Sequence, residues 1–412
     1  MNPIADSDKS RRSELVIIVA VTSALSWVFF AKTIGALQAA GFRPILVSSP
    51  GEQLWRISRD TGAEYAAIPM KREIAPLRDL LSLFRLCRLI HKVRPTIIDA
   101  GTPKAGLLAG IAAWLMGVRC RIYTLHGLRM ETTTGLKRMV LTLTERIACA
   151  CAHKVICVSP SLRERALDFK LLRATKLVVL GSGSCGGVDV ERFSPEAFDQ
   201  VKKQQLADSL GISRSAPLIG FVGRLTRDKG VGELAAAYSM LRKKWPELCL
   251  LLVGDYEDGD PVEPLIRQQI DTDPGIIRAG FVADTAPYYG LMNILVLPTY
   301  REGFPYTTLE AQACRIPVVT TTATGAIDAV VNGETGFVVP VANAEILAIR
   351  IDQLLGDPEL QERMGKRGRD RVIREFRNEI VERALLGEYE KLIAAKVGRP
   401  VPEAARAEPG IR

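Results

Sequence analysis

Histidine is scarce in this chain of 412 residues, with only His91, His126 and His153 present. Eight cysteines occur, yet none forms a Cys-x-x-Cys pair, and His153 beside Cys149 and Cys151 lacks a second pair to complete a tetrahedral zinc site. Cys87, Cys120, Cys157, Cys249 and Cys314 stand singly in mostly apolar surroundings and read as buried free thiols of a reducing compartment. Aromatic residues make up only 6%, without basic-aromatic interleaving or a recognisable binding module, which argues against nucleic acid as a partner. Long apolar runs are missing too. The run 15–21 follows Arg11 and Arg12 as a signal peptide would, but Thr22 and Ser23 end it at the lower length limit of such a segment. It reads instead as a first buried strand. The run 106–118 is broken by Gly106, Gly110 and Gly117 and falls short of the ~20 residues a membrane span needs, so no spanning segment is expected.

What is present is a globular composition, 47% hydrophobic and 25% charged, in a chain long enough for two domains. Short β-branched runs at 15–20, 44–47, 65–68, 96–99, 121–125, 154–158 and 177–180 alternate with amphipathic stretches such as 29–40, 77–92, 105–116 and 136–150. The alternation then restarts, with strands at 218–222, 248–253, 276–279, 294–297, 317–320 and 337–339, and two helices near the end at 344–355 and 378–395. Such patterns build parallel sheets through right-handed crossovers. The fold class expected is α/β, two Rossmann-like domains facing one another across a cleft. The divisions are an unstructured start at 1–13, a first domain at 14–190, a linker at 191–215, a second domain at 216–376, a helix at 377–396 that packs back on the first domain, and an unstructured tail at 397–412. Charge is uneven: residues 1–190 hold 27 Lys and Arg against 14 Asp and Glu, while the whole chain is only +9. A basic half implies an anionic partner, whether nucleic acid, an acidic lipid surface or a phosphorylated substrate.

Three segments carry the chemistry. Arg301-Glu302-Gly303-Phe304-Pro305-Tyr306-Thr307-Thr308-Leu309-Glu310-Ala311 lies after a strand and opens a helix, whose first N–H groups would face an anion. Its two carboxylates, seven residues apart, suit the grip of one extended ligand. Gly223-Arg224-Leu225-Thr226-Arg227-Asp228-Lys229-Gly230 also follows a strand. Gly223 permits close backbone approach there, and Arg224 and Lys229 could neutralise a diphosphate leaving group. Taken alone, that segment is as well read as a solvated turn. His126, in Leu125-His126-Gly127 at a strand end, is a substrate contact or a structural histidine with equal weight on the residues alone.

Other features read as ordinary. Gly181-Ser182-Gly183-Ser184-Cys185-Gly186 matches a dinucleotide fingerprint letter for letter, but no helix follows and it reads as an interdomain crossing. Asp258-Gly259-Asp260 reads as a solvated acidic loop more readily than as a metal pair. The basic amphipathic stretch 76–95 fits an anionic membrane or a helix packed on the sheet.

Together the Gly-Arg…Lys-Gly turn and the Glu-x7-Glu segment resemble retaining glycosyltransferases of family 4, with the GT-B fold, over residues 15–395. The turn Asn332-Gly333-Glu334-Thr335-Gly336-Phe337 is similar to theirs as well. Thr102-Pro103-Lys104-Ala105-Gly106 and Thr124-Leu125-His126-Gly127 resemble a bacterial subgroup that includes N-acetylgalactosaminyltransferases acting on undecaprenyl-diphosphate sugars. Departures are Thr22-Ser23-Ala24 where many relatives carry a glycine pair, and Asp99-Ala100-Gly101 where the subgroup has a His-rich lead-in.

The resemblance implies that Gly223, Arg224 and Lys229 hold the diphosphate of a UDP-sugar and that Glu310 takes the ribose hydroxyls. Glu302 with Gly303, Phe304 and Pro305 would grip the donor sugar, and Thr307 and Thr308 would complete the donor site. His126 would act beside the reacting carbon, and Thr102 and Lys104 would meet a polyprenyl-diphosphate-linked saccharide. It also implies no cofactor beyond the UDP-sugar co-substrate, no metal requirement, and a cytoplasmic enzyme peripheral to the inner face of an anionic membrane. A UDP-sugar epimerase on the same scaffold, or a non-catalytic scaffold, are the rival readings.

Overall fold

The computed structural model describes residues 15–398 apart from Arg72, Ile74, Cys185 and Arg214. Of the segments read above as unstructured, 1–13 and 399–412 lie outside the described residues, whereas Val397 closes the helix Asn378–Val397. The chain divides into two compact units, one running to Gly186 and resuming at Asn378, the other spanning Gly187–Arg377.

In the first unit seven parallel strands form one sheet: β1 Leu15–Ala20, β2 Phe42–Ser48, β3 Glu64–Ala67, β4 Ile97–Gly101, β5 Cys120–Leu125, β6 Lys154–Cys157 and β7 Leu177–Val179, in the spatial order β3-β2-β1-β4-β5-β6-β7. Every residue of β1 is buried, because helices cover both faces. The two-residue period of a strand divides it cleanly. Ile17 and Val19 enter one core with Ile34, Leu37, Tyr389 and Ile393, whereas Val16 and Ile18 enter the other with Leu86, Leu108 and Ala109.

On that second face the helices Pro76–Val93, Pro103–Leu115 and Gly135–Cys151 lie side by side, the middle one touching both neighbours. Gly106 lets the middle helix pass over Tyr123, where a β-carbon would meet the ring at 2.2 Å. Beneath them Tyr123 donates a 2.8 Å hydrogen bond to Glu145, a carboxyl pushed up to about 7 by burial. The helix Asn378–Val397 completes the other face. Its Tyr389 hydroxyl donates to the buried Asp99 of β4, which also accepts from Thr124 at 2.8 Å.

In the second unit six parallel strands, β8 Leu218–Val222, β9 Cys249–Val253, β10 Ile276–Gly280, β11 Ile294–Leu297, β12 Val318–Thr321 and β13 Gly336–Val339, take the order β10-β9-β8-β11-β12-β13. The order reverses between β8 and β11, and those two strands pair only through Ile219 and Gly220, whereas β8 and β9 stay paired as far as Val222 and Val253. At such a reversal, the carboxyl ends of β8 and β11 are where a ligand crevice is expected.

Two sequence expectations change. The stretch 191–215 holds a helix, Gln200–Ser209, capped by the Asp199 side chain, and is part of the second unit's fold. Between the two late helices expected from the pattern lies a third, Pro358–Glu375. Its two glycines depress helix propensity, which hid it from the pattern. They are required by packing: β-carbons at Gly365 and Gly368 would meet Arg315 O at 2.0 Å and Gln312 Cγ at 3.0 Å. None of the described helices is long and apolar enough to cross a membrane.

Candidate functional site

The two motifs of the second unit meet at its switch point. After β8 the chain passes through Gly223 at φ +152°, a conformation that L side chains rarely adopt, and its amide donates to Val253 O at 2.9 Å. Gly254 sits so close that a β-carbon there would stand 1.9 Å from Gly223 O, so the ends of β8 and β9 can approach this closely only with glycine at 254. At Gly230, φ +71°, a β-carbon would likewise stand 2.0 Å from Pro298 O, so glycine lets the turn lie against the end of β11.

Asp228 ties the two segments together. Its carboxylate Oδ2 accepts from Arg301 Nε at 2.9 Å and lies 2.7 Å from Arg301 Nη2, while its carbonyl accepts from Tyr300 N at 2.8 Å and Thr299 Oγ1 at 3.1 Å. Asp260 in turn accepts from the Asp228 amide at 2.7 Å, so this member of the acidic loop organises the basic turn. Sequence reading missed the roles of Asp228 and Arg301, although both lie inside motifs it singled out.

The cations are brought to one edge and each is matched by an acid. Lys229 Nζ is hydrogen-bonded to Glu302, a largely buried pair with side chains 18% and 12% exposed. Arg224, more than half exposed, holds Glu257. Arg227 lies 3.7 Å from Asp260. Glu302 is further fixed by its amide, which donates to Thr324 O at 2.8 Å, and at Gly325, φ +76°, a β-carbon would stand 2.3 Å from Gly303 O.

Phe304 is buried and packs on Phe376 with ring centroids 5.3 Å apart. Pro305 then starts the helix Tyr306–Ala313 without a side-chain cap. The first N–H groups of any helix, here those of Tyr306, Thr307 and Thr308, have no intrahelical acceptor and give this end a partial positive charge. The Thr308 hydroxyl itself turns inward, donating to Pro305 O at 2.7 Å. One turn on, Glu310 accepts a 2.7 Å hydrogen bond from Tyr289, and burial pushes its carboxyl up to about 7. Nothing in the sequence around Tyr289 signalled that partnership.

In the first unit the sheet order reverses between β1 and β4, and the residues after these strands clasp one another. Thr102 Oγ1 accepts from Thr22 N at 3.0 Å and lies 2.7 Å from Thr22 Oγ1, which accepts from Ala105 N at 3.2 Å. Thr102 has φ +69° and ψ 146°, a conformation that belongs almost wholly to glycine, and such strain costs about 1–3 kcal/mol. His126, after β5, lies at the same carboxyl edge. Its ring stands edge-on to Phe30 with centroids 6.0 Å apart and against Gly101, where a β-carbon would be 2.9 Å from Nε2. Nε2 is buried with no hydrogen-bond partner, and burial lowers the imidazole to about 4, so the ring is neutral at physiological pH. Lys104 is placed differently from expectation. Its ammonium is held by Asp79 at 2.6 Å and by Glu73 O at 2.8 Å, so its charge is already neutralised within the unit.

No group of three or more His, Cys, Asp or Glu side chains among the described residues is arranged to hold a metal ion. What the second unit offers is a cradle of cations, backbone N–H groups and two carboxylates, suited to a ligand with a diphosphate at its centre and hydroxyls at both ends.

Residues 202–371 match the family model described as glycosyl transferases group 1, and residues 26–183 match that of a glycosyl transferase 4-like domain. The capsular polysaccharide biosynthesis glycosyltransferase CapM of Staphylococcus aureus is 37% identical over 86% of this chain and 91% of its own length. The chain belongs to the group 1 glycosyltransferases. A more distant relative, the N,N'-diacetylbacillosaminyl-diphospho-undecaprenol alpha-1,3-N-acetylgalactosaminyltransferase of Campylobacter jejuni, is 24% identical over 83% of this chain and 89% of its own. Among solved structures, a glycosyltransferase from Rickettsia africae superposes with a TM-score of 0.76 at 22% identity, covering 92% of this chain and 99% of that one. Anabaena HepE, in complex with UDP and glucose, gives 0.75 at 19% identity, covering 90% and 98%. The fold of this glycosyltransferase is therefore GT-B, two Rossmann-like units, as the alternating pattern implied.

Proposed function

We propose that this glycosyltransferase moves a sugar, an N-acetylhexosamine by preference, from a UDP-sugar to a polyprenyl-diphosphate-linked saccharide during synthesis of a bacterial surface polysaccharide, with retention of anomeric configuration. The observation that carries the reading is the Lys229–Glu302 pair at the β8–β11 crevice, flanked by Arg224 and the uncapped start of the helix Tyr306–Ala313. Relatives named for capsule synthesis and for transfer to undecaprenyl-diphosphate sugars supply the setting.

An entering diphosphate takes Lys229 and Arg224 from their resident carboxylates, and Glu302 so released turns to the hydroxyls of the donor sugar with the backbone of residues 303–305. Glu310 receives the ribose. As the bond from the anomeric carbon to the UDP oxygen breaks, the acceptor hydroxyl attacks on the same face and its proton passes to the departing phosphate oxygen. Lys229, Arg224 and the helix N–H groups stabilise the charge that develops, in place of a metal ion. Glu302 positions and does not attack. In this reading the neutral His126 serves the reacting carbon and Thr102 the acceptor. Because the donor is a cytoplasmic nucleotide and the acceptor a lipid, the enzyme works at the inner face of the membrane.

The test is UDP release by the purified chain across a panel of UDP-hexoses and UDP-N-acetylhexosamines, with a short polyprenyl-diphosphate sugar as acceptor and with chelator present. Acceptor-dependent release with one donor, and an α-linked product, is expected. Release of a free epimer without acceptor would favour the epimerase instead, and absence of UDP binding would overturn the donor assignment.

A further inference from the structure

In a helix laid on a sheet, the apolar stripe faces the sheet and the polar stripe faces water. Two helices of the first unit break this rule. Pro76–Val93 buries Ser82, Leu86, Leu89 and Ile90. Outward, it presents Leu77, Leu80, Leu81 and Phe84, which are 82, 64, 59 and 65% exposed. Their spacing of three, four and seven residues puts them on one face. Gly135–Cys151 repeats the arrangement, burying Glu145, Ala148, Cys149 and Cys151 while Leu136, Met139 and Leu143 stand 70, 63 and 57% exposed.

Both stripes occupy the N-terminal halves of their helices. In a parallel sheet with returning helices, those turns lie at the carboxyl edge of the strands, the edge that carries Thr102 and His126. Only the helix Pro103–Leu115 separates them.

The charges around the stripes have one sign at the surface. Arg78, Arg85, Arg88 and Lys92 on the first helix are exposed, as are Lys137, Arg138 and Arg146 on the second. The acids of the same two helices are turned away: Asp79 is paired with Lys104, and Glu145 lies buried under the hydroxyl of Tyr123. Exposed leucine, phenylalanine and methionine set among cations are what an interfacial helix shows to an anionic bilayer, the apolar side chains entering the acyl boundary and the cations meeting the headgroups. A soluble protein partner of acidic surface would meet the cations but would not call for seven exposed apolar side chains on two separate helices.

We infer that these two helices form a bilayer-docking surface for anionic lipid, placed at the edge of the first unit where a lipid-linked acceptor would arrive. The inference rests on the lipid-linked acceptor reading for its setting, but the binding itself is independent of catalysis. It is tested by sedimentation of the full chain with phosphatidylcholine vesicles, with and without phosphatidylglycerol, at low and high salt. Two double variants, Leu80→Ser with Phe84→Ser and Leu136→Ser with Met139→Ser, are compared with Arg85→Gln and Arg88→Gln.

Expected is binding to the anionic vesicles only, weakened by salt and by the arginine variant, and reduced roughly ten-fold or more by each apolar pair. Thermal midpoint and UDP binding should be unchanged in all three, since every substituted side chain is exposed. Wild-type protein that ignores anionic vesicles, or apolar variants that bind as well as wild type, would overturn the inference. So would a wild-type dimer that the Leu80 and Phe84 changes convert to monomer without vesicle binding, which would make a second copy the occupant. A chain that binds vesicles yet transfers no sugar to the polyprenyl acceptor would refute the proposed reaction and leave the docking surface standing.

Discussion

Replacing Glu145 by glutamine should make the protein's stability less sensitive to pH, by an amount the structure sets. Burial raises the Glu145 carboxyl from 4.5 to about 7, against the opposing pull of the Tyr123 hydroxyl. Below the unfolded value both states are protonated and the group contributes nothing to the pH dependence. As pH climbs, the unfolded carboxyl ionises first and the buried one stays neutral, so folding loses about 1.4 kcal/mol per unit until the folded value is passed. Between about pH 5 and pH 8 this amounts to roughly 2–3 kcal/mol in the wild type and to nothing in Glu145→Gln.

The glutamine keeps an oxygen for Tyr123, and whatever its amide costs is the same at both pH values and cancels in the comparison. Guanidinium unfolding followed by tryptophan fluorescence suits the measurement, since Trp27, Trp55 and Trp114 all lie in the first unit and only Trp245 in the second. The stability of the variant relative to wild type should rise by that amount from the lower to the higher pH. A relative stability that stays flat, or falls, would refute the argument that a desolvated carboxyl lies under this helix.

Four further outcomes are expected. Lys229→Ala should cut acceptor-dependent UDP release on the order of a hundred-fold or more, and Glu302→Gln should lose turnover more than it loses UDP affinity, as initial rates and calorimetry would show. Gly254→Ala, with its β-carbon 1.9 Å from Gly223 O, should cost more than about 2 kcal/mol in thermal unfolding and abolish UDP binding along with it. The pH profile of turnover should carry no inflection near 6.5 from His126, because its imidazole is lowered to about 4 and stays neutral down to that range; an imidazole titrating near 6.5 by NMR would contradict its burial.

The parallel strands were legible because a strand buried on both faces must be an unbroken β-branched run, and β1, β8 and β11 fall on the residues the pattern marked. The basic turn and the Glu-x7-Glu segment could also be read, since each hangs directly on a strand end. Tyr289 under Glu310 was not legible, for a contact between segments 21 residues apart leaves no periodic trace. Nor was the helix Pro358–Glu375, two of whose arginines are turned to carbonyls: Arg369 reaches Ala313 O at 2.5 Å, and Arg371 reaches Ala329 O at 2.9 Å and Asp328 O at 2.8 Å. Lys104 shows the opposite hazard. A lysine at a helix start suggests a phosphate, yet a single acid on a neighbouring helix, Asp79, takes up its charge.

The first unit is assembled from both sides of the second, since Asn378–Val397 supplies Tyr389, Leu392 and Ile393 to the core built on β1. During synthesis, that core therefore stands open on one side until the ribosome has passed Val397. The second unit is contiguous in sequence and can close first, reversing the usual N-terminal-first order of folding. Asp99 waits the whole time for the hydroxyl of Tyr389. A stalled or truncated chain lacking the last helix would carry a finished second unit and a first unit with its hydrophobic face bare, a ready substrate for chaperones and proteases.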